Sequence, residues 1–192
     1  MMKSTRRFPS LSVVFLALLT LGTSGHSSLA ADPEIEKRVL EAQAAVERFK
    51  KADSGIAALL DAASGYAVFP KIGKGGLVIG GAHGDGLVYE KSHLAGTASM
   101  SQVTVGAQIG GQSFAELILF ENAESLAQFK ESRFEMAAQV GAVAAAEGVS
   151  KNAKYVHGVM VFTLANRGLM AEASIGGQKF KFTPVPPPAP AE

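Results

Sequence analysis

Apolar residues recur every three to four positions in the segment 33–51, and this spacing predicts an amphipathic α-helix. Pro33 suits the first helical position, and Lys50 and Lys51 lie where the negative end of the helix dipole favours basic side chains. A shorter apolar face predicts a second helix over residues 56–63, with a glycine on either side of it. Two helices are therefore expected at the start of the domain.

Beyond residue 65 the apolar positions follow the spacing of short β-strands, and glycine or proline separates the runs. The predicted strands cover residues 66–69, 77–82, 87–91, 103–109, 114–120, 136–145, 156–163 and 169–174. The sequence His-Gly-Asp-Gly at residues 83–86 is typical of a hairpin turn. Asn122 is predicted to cap a short helix that contains Leu126 and Phe129.

Runs of strands with few helices between them indicate the α+β class rather than α/β. Eleven of the 21 glycines lie between Gly73 and Gly111. Glycine within strands marks bends, bulges or the close approach of another backbone. We therefore expect a strongly curved antiparallel sheet or partial barrel of short glycine-rich strands. The N-terminal amphipathic helix and a few short helices would pack against it.

The first 31 residues have the three parts of a cleavable secretory signal peptide. A basic start, an apolar run and a small, polar stretch follow one another in Lys3, Arg6 and Arg7, residues 11–21 and residues 22–31. The apolar run is too short to cross a membrane. The sequence therefore predicts export to the periplasm or the medium, in soluble form or peripheral on a membrane.

The chain is thus divided into a signal peptide over residues 1–31, a single domain over residues 32–183 and a tail over residues 184–192. The tail consists mainly of proline and alanine, which cannot form a packed core, so we expect it to be extended or disordered.

The charge balance argues against nucleic acid as a partner. The whole chain has 18 basic and 17 acidic residues, and loss of the three basic residues of the signal peptide would leave 15 against 17. Such a nearly neutral chain has no overall field that attracts nucleic acid. Cysteine is absent, which excludes disulfides, thiolate metal sites, thiol nucleophiles and the acylated cysteine of a bacterial lipoprotein.

Side chains that could carry chemistry are dispersed along the sequence. The glycines at residues 73–76 lack the remaining positions of the nucleotide-binding motifs, and His83, His93 and His157 lack the spacing of metal ligands. Ser113 lacks the second glycine of a nucleophile elbow. We therefore predict no catalytic residue, metal or cofactor. A hydrolase that uses Ser113, His83 or His157 is the less favoured alternative.

Basic side chains are more informative locally. Lys71 and Lys74 lie in a glycine-rich segment directly after Pro70, where they could contact anionic lipid headgroups. The other interpretation is two solvated lysines in a connection between strands.

Residues 65–89, with the sequence GYAVFPKIGKGGLVIGGAHGDGLVY, resemble the signature of the SYLF domain family. The similarity continues through GAQIGGQ at residues 106–112 and LILF at residues 117–120, and it resumes with NRGLMAEAS at residues 166–174. It covers nearly the whole of the chain after the predicted signal peptide, with the blocks in the expected order.

The resemblance implies a lipid-binding domain, because relatives in the family bind phosphoinositides or other anionic phospholipids, and yeast-type relatives also bind actin filaments. It implies no catalytic residues. Lys74 matches a lysine that is frequent in the family pattern. The opening helix, with Phe49, Lys50 and Lys51 near its end, occupies the place of the family's membrane-active segment. The acidic Glu172 departs from a usually glycine-rich block, so the lipid preference of the relatives is not transferred.

Together these observations predict a non-enzymatic phospholipid-binding module of the bacterial cell envelope. It would contact anionic lipid through a basic loop at Lys71 and Lys74 and through the amphipathic helix at Phe49, Lys50 and Lys51. The alternative is a structural or partner-binding envelope protein, with an unidentified protein partner, in which Phe49 is part of the core. Actin is not expected as a partner, because export would separate the chain from cytoplasmic filaments.

Overall fold

The computed structural model describes residues 33–76, 79–105, 112–132, 135–136, 142–143, 148–165, 168–172 and 177–185. The predicted signal peptide and residues 186–192 of the predicted tail lie outside these ranges.

Four helices and nine strands make up the described residues. The helices are α1 (Pro33–Ala52), α2 (Gly55–Ala62), α3 (Ala123–Lys130) and α4 (Val149–Asn152). The strands are β1 (Gly65–Gly76), β2 (Ile79–Glu90), β3 (His93–Val105), β4 (Gln112–Phe120), β5 (Glu135–Met136), β6 (Ala142–Val143), β7 (Val159–Ala165), β8 (Gly168–Glu172) and β9 (Gln178–Pro184).

All nine described strands belong to one antiparallel sheet with the order β5-β9-β3-β2-β1-β4-β7-β8-β6. The two ends of this order, β5 and β6, are not paired with each other in the described part of the chain, so the sheet is open and not a closed barrel. Helices precede the sheet and interrupt it after β4. The α+β class predicted from the sequence is confirmed.

The sheet is strongly curved around one apolar face, which we call the inner face. Phe69 on β1 and Phe180 on β9 are separated by two strands, which would place them about 14 Å apart in a flat sheet. Their ring centroids are only 5.7 Å apart. Phe129 of α3 lies against Phe180 and against Phe120 of β4, with centroid separations of 5.1 Å in both cases. The curvature therefore closes the inner face around a cluster of aromatic rings.

The opposite side of the sheet, the outer face, is covered over part of its area by α1, α2 and α4. Val46 and Phe49 of α1 are buried in one core cluster with Leu117 of β4, Phe162 of β7 and Ile56 of α2. Burial of each such large side chain stabilises the fold by about 1.5 to 3 kcal/mol. Amphipathic α1 is therefore a structural part of the domain.

Residues 83–86 do not form the predicted hairpin turn, and that prediction is wrong. They lie within β2, and the predicted strands 77–82 and 87–91 contribute to this single strand where they are described. A Cβ atom on Gly86 would lie 2.6 Å from Cδ1 of Phe69. Gly86 thus makes room for an aromatic ring and does not reverse the chain. The chain reverses at Lys91, whose φ of 54° is in the left-handed region.

Other local predictions have mixed outcomes. Asn122 caps α3, since its side-chain oxygen accepts a hydrogen bond of 2.9 Å from the backbone N–H of Ser125. The predicted strand 136–145 is represented among the described residues only by parts of β5 and β6. The sequence patterns did not predict α4, β9 or most of β3.

The buried carboxylate of Asp53 lies in the segment between α1 and α2 and connects this segment to α4. Asp53 accepts hydrogen bonds of 2.8 Å from both the backbone N–H and the hydroxyl of Ser150, and one of 2.9 Å from the backbone N–H of Gly55. Burial by itself raises the pKa of Asp53, but the bonds from Ser150 and Gly55 and the charge of Lys151 outweigh it. The pKa of Asp53 therefore lies below the ordinary value of an aspartic acid.

Candidate functional site

One end of the outer face is not covered by the helices. We call it the open outer face, and it is formed by Lys71, Gly73, His83, Asp85, Ser99, Ser101, Val103, Ser113, Lys179 and Lys181. Strand alternation explains its composition, because Phe180 and Met100 are buried on the inner face and their neighbours in sequence therefore point outward.

The strand register brings basic residues from distant parts of the sequence onto this surface. Lys181 of β9 is paired with Ser99 of β3, Ser99 with Asp85 of β2, and Asp85 with Lys71 of β1. The four positions therefore form one row across four strands.

A neighbouring row runs parallel to the first. Lys179 is paired with Ser101, Ser101 with His83, and His83 with Gly73. These side chains are exposed to solvent, apart from the glycine, which has none. Along this row, lysine and histidine alternate with the small residues serine and glycine.

The charge of the open outer face is positive. Its three lysines outnumber its acidic positions, which are Asp85 and, at the edge, Glu135 of β5, the register partner of Lys179. Glu34 and Glu41 of α1 line a small cavity next to Asp85 at the border of the surface. Val103 is 71 % exposed and is the most exposed large apolar side chain of the described residues. Ammonium and hydroxyl groups around a protruding apolar side chain can contact phosphate oxygens and the apolar layer beneath them.

Lys71 and Lys74, which are close in sequence and were predicted to act together, lie on opposite faces of β1. The pairing of residues 71–74 with β2 is regular, and Ile72 is buried in the inner cluster. Lys71 therefore lies on the open outer face, whereas Lys74 lies on the inner side at the rim, paired with Gln112 of β4. Both are in a strand and not in the basic loop that was expected.

The three predicted site residues of α1 are not brought to this surface either. Phe49 is 0 % exposed and belongs to the core, so its contact with lipid would require α1 to leave the sheet. Lys50 forms a 3.0 Å ion pair with Glu47, and Lys51 is exposed in the last turn of the helix. The structure thus separates the five predicted positions into a core residue, two helix lysines and two strand lysines.

Two lysines of the surface, Lys179 and Lys181, were not among the predicted site residues. A signal was present, because polar and apolar residues alternate strictly from Lys179 to Phe182, as they do in a strand with one buried face. This alternation covers four residues and adjoins the Pro/Ala-rich segment, so it is a weak signal for a strand.

The residues of the hydrolase alternative are exposed. Ser113 of β4 is paired with Gly73, which is paired in turn with His83 of β2, and no hydrogen bond links Ser113 to His83 within the described residues. His157 lies in a turn with a φ of 52°. The described ranges contain no group of three potential metal ligands, and none of their helices is long and apolar enough to span a bilayer.

Comparison with known proteins gives two findings. Residues 101–183, which include β4 and β7 to β9, match the family model Ysc84, described as Las17-binding protein actin regulator. The chain is also 32 % identical to Beta cell expansion factor A of Aeromonas veronii over 123 residues. This match covers 64 % of the chain and 47 % of the relative, so the chain spans about half the length of that relative.

Proposed function

The chain belongs to the SYLF family through residues 101–183, and from this premise we propose that it is a non-enzymatic phospholipid-binding module of a bacterial cell envelope. Proteins of this family bind lipids or actin-related partners and are generally non-enzymatic. The finer assignment, to anionic phospholipid at a membrane surface, depends on the charge of the open outer face.

The observation that carries the proposal is the common orientation of Lys71, Lys179 and Lys181 on a face that the helices leave uncovered. A lysine close to an anionic membrane contributes about 1 kcal/mol to binding. Three such residues therefore contribute about 3 kcal/mol, which corresponds to a factor of roughly one hundred in affinity. Insertion of Val103 adds apolar contact. This is sufficient for reversible attachment and agrees with a nearly neutral net charge.

The open outer face shares only part of its residues with the site that the sequence predicts. Phe49 is left out, because its side chain is in the core. Lys71 is retained, Lys74 lies on the opposite face of β1, and Lys50 and Lys51 lie on a different part of the domain.

The predicted signal peptide supports a location outside the cytoplasm, in the periplasm or attached to an envelope membrane. We therefore do not propose the actin-related role named in the family description. A structural or partner-binding envelope protein is the outcome favoured if lipid binding fails.

Co-sedimentation with vesicles tests the proposal. We expect the protein to bind vesicles that contain phosphatidylglycerol more strongly than vesicles of phosphatidylcholine alone. The double variant Lys179→Glu, Lys181→Glu should weaken this binding by at least tenfold. Raising the salt concentration from about 0.1 M to about 1 M should remove most of the difference in binding between the double variant and the unaltered protein, because the Debye length falls from roughly 10 Å to 3 Å.

The matched control is Lys151→Glu with Lys154→Glu, which changes the net charge by the same amount at exposed positions near α4. It should retain binding. Equal losses in the two double variants would contradict the assignment to the open outer face. Absence of binding to anionic vesicles by the unaltered protein would contradict the lipid-binding function itself.

A further inference from the structure

A groove of about 800 Å³ lies between α1, α2 and the ends of β1 and β2 next to the turn at Lys91. Its volume is in the range of sites for small ligands. None of its lining residues belongs to the open outer face. Val46 and Leu60 contribute apolar walls, and Tyr66 and Tyr89 contribute aromatic surface.

The two tyrosines are stacked, with ring centroids 4.9 Å apart and an interplanar angle of 17°. Burial raises the pKa of Tyr66 to about 12, and the neighbouring Tyr89 adds to the shift. Burial also raises the pKa of Tyr89. Both hydroxyls are therefore protonated at neutral pH and can donate a hydrogen bond.

The hydroxyl of Tyr89 is buried and has no hydrogen-bond partner within the described part of the chain. Buried hydroxyl groups are usually hydrogen-bonded, and one that is not loses its interaction with water without compensation. An acceptor atom supplied by a ligand would satisfy it.

Charged side chains of both signs line the groove. Lys50 and Glu47 pair with each other at 3.0 Å. Asp61 of α2 and Lys91 of the turn are both exposed, and no ion pair joins either of them to another described residue. The groove therefore offers one carboxylate and one ammonium group, next to an aromatic pair, to a ligand that carries both charges.

We propose that this groove binds a zwitterionic ammonium–phosphate group, the chemistry of a phosphocholine or phosphoethanolamine head. The ligand ammonium would interact with Asp61 and with the aromatic surface, since cations are attracted to the faces of tyrosine rings. The phosphate would interact with Lys91 and accept a hydrogen bond from Tyr89. This site goes beyond the proposed function, because the open outer face requires anionic lipid and uses other residues.

Tyrosine fluorescence provides a direct measurement, because the chain has no tryptophan and three tyrosines, of which Tyr155 lies outside the groove. In the Tyr155→Phe variant the signal comes from the groove alone. We expect phosphocholine to change the fluorescence in a saturable way. Choline and inorganic phosphate, each added alone, should bind at least tenfold more weakly than the joined molecule. Calorimetric titration of the unaltered protein checks the affinity independently of the optical signal.

Two substitutions locate the site. Asp61→Asn should weaken phosphocholine binding by roughly tenfold, and Tyr89→Phe, which keeps the ring and removes the hydroxyl, by several-fold. The control Asp85→Asn removes a carboxylate from the open outer face and should leave phosphocholine binding unchanged. Melting temperatures show that the variants are folded.

Three outcomes would overturn the proposal: no saturable binding of phosphocholine by either method, equal effects of Asp61→Asn and Asp85→Asn, or inorganic phosphate binding as tightly as phosphocholine. The source of the group is decided by a second arm with phosphatidylcholine vesicles. Loss of vesicle binding in Asp61→Asn identifies a lipid headgroup. Binding of soluble phosphocholine without vesicle binding identifies a free metabolite. In neither arm does the result depend on Lys179 or Lys181, so the proposed function is tested separately.

Discussion

Gln178 of β9 donates a 2.9 Å hydrogen bond to the carboxylate of Glu116 of β4, although three strands lie between them in the sheet. In a flat sheet these strands would be about 19 Å apart. Both side chains are essentially inaccessible to solvent, and Thr163, the register partner of Glu116 on β7, is also buried. The curved sheet thus encloses a small polar group at one end of its apolar inner face.

Removal of this bond should destabilise the fold. Gln178→Ala takes away a donor from a buried carboxylate, and we expect the free energy of unfolding to fall by about 1.5 to 3 kcal/mol. Urea denaturation at neutral pH measures the change. Gln128→Ala, on the exposed side of α3, is the control and should cost less than about 0.5 kcal/mol. Similar losses in both variants would show that the bond across the sheet has no special role.

The carboxylate of Asp53 should make stability depend on pH. Its pKa is lower in the folded chain than in the unfolded chain, so its contribution is complete above roughly pH 4 and is lost as the pH falls through the folded-state pKa. Asp53→Asn should therefore be less stable than the unaltered protein at pH 7, with a difference that narrows toward pH 2. Denaturant titrations at both pH values test this. For Asp61→Asn, at an exposed position, the difference in stability from the unaltered protein should not narrow between pH 7 and pH 2.

Glycines of the sheet should differ sharply in their tolerance of a methyl group. Gly86→Ala would place Cβ 2.5 Å from the carbonyl oxygen of Val68, so we expect a loss of about 1 to 3 kcal/mol through overpacking. A Cβ atom added to Gly73 on the open outer face would meet no other atom within 4 Å, and Gly73→Ala should be neutral or slightly stabilising. Thermal unfolding of both variants gives the comparison. A tolerated Gly86→Ala would contradict the tight approach of the two strands.

Helix α1 allows core packing and membrane contact to be distinguished by two substitutions on one element. Phe49→Ala should lower the free energy of unfolding by about 3 to 5 kcal/mol and leave vesicle binding by the folded fraction unchanged. Leu40 is 61 % exposed, and Leu40→Ser should leave stability unchanged. If Leu40→Ser weakened vesicle binding, α1 would be part of the membrane contact. If Phe49→Ala did so without loss of stability, α1 would leave the sheet on binding.

The sequence patterns predicted those elements whose signal, a hydrophobic spacing or a capping residue, lies within the element itself. Helix α1 shows its buried face in the spacing of Val46 and Phe49, and Asn122 marks the start of α3 by its side-chain chemistry. The curvature followed from the number of glycines. These features are local, or depend on composition, and require no knowledge of which strands are neighbours.

Features that depend on strand order could not be predicted in the same way. Gly86 resembles a turn residue until Phe69 is known to lie against it on the neighbouring strand. The open outer face arises only when β9 is placed beside β3, which joins Lys181 to Lys71 across two intervening strands. A pair of lysines close in sequence, Lys71 and Lys74, is separated by the alternation of a single strand. Proximity along the chain was therefore a poor guide to the surface.

The position of β9 also has a consequence for the order of events during biosynthesis. Phe180 completes the aromatic cluster against Phe69 and Phe129, yet it is synthesised after all the other strands described. Contacts between such distant segments form slowly, because a long loop has to be closed first. Until β9 has left the ribosome, the rings of Phe69 and Phe129 lack their contacts with Phe180, and the aromatic cluster of the inner face is incomplete.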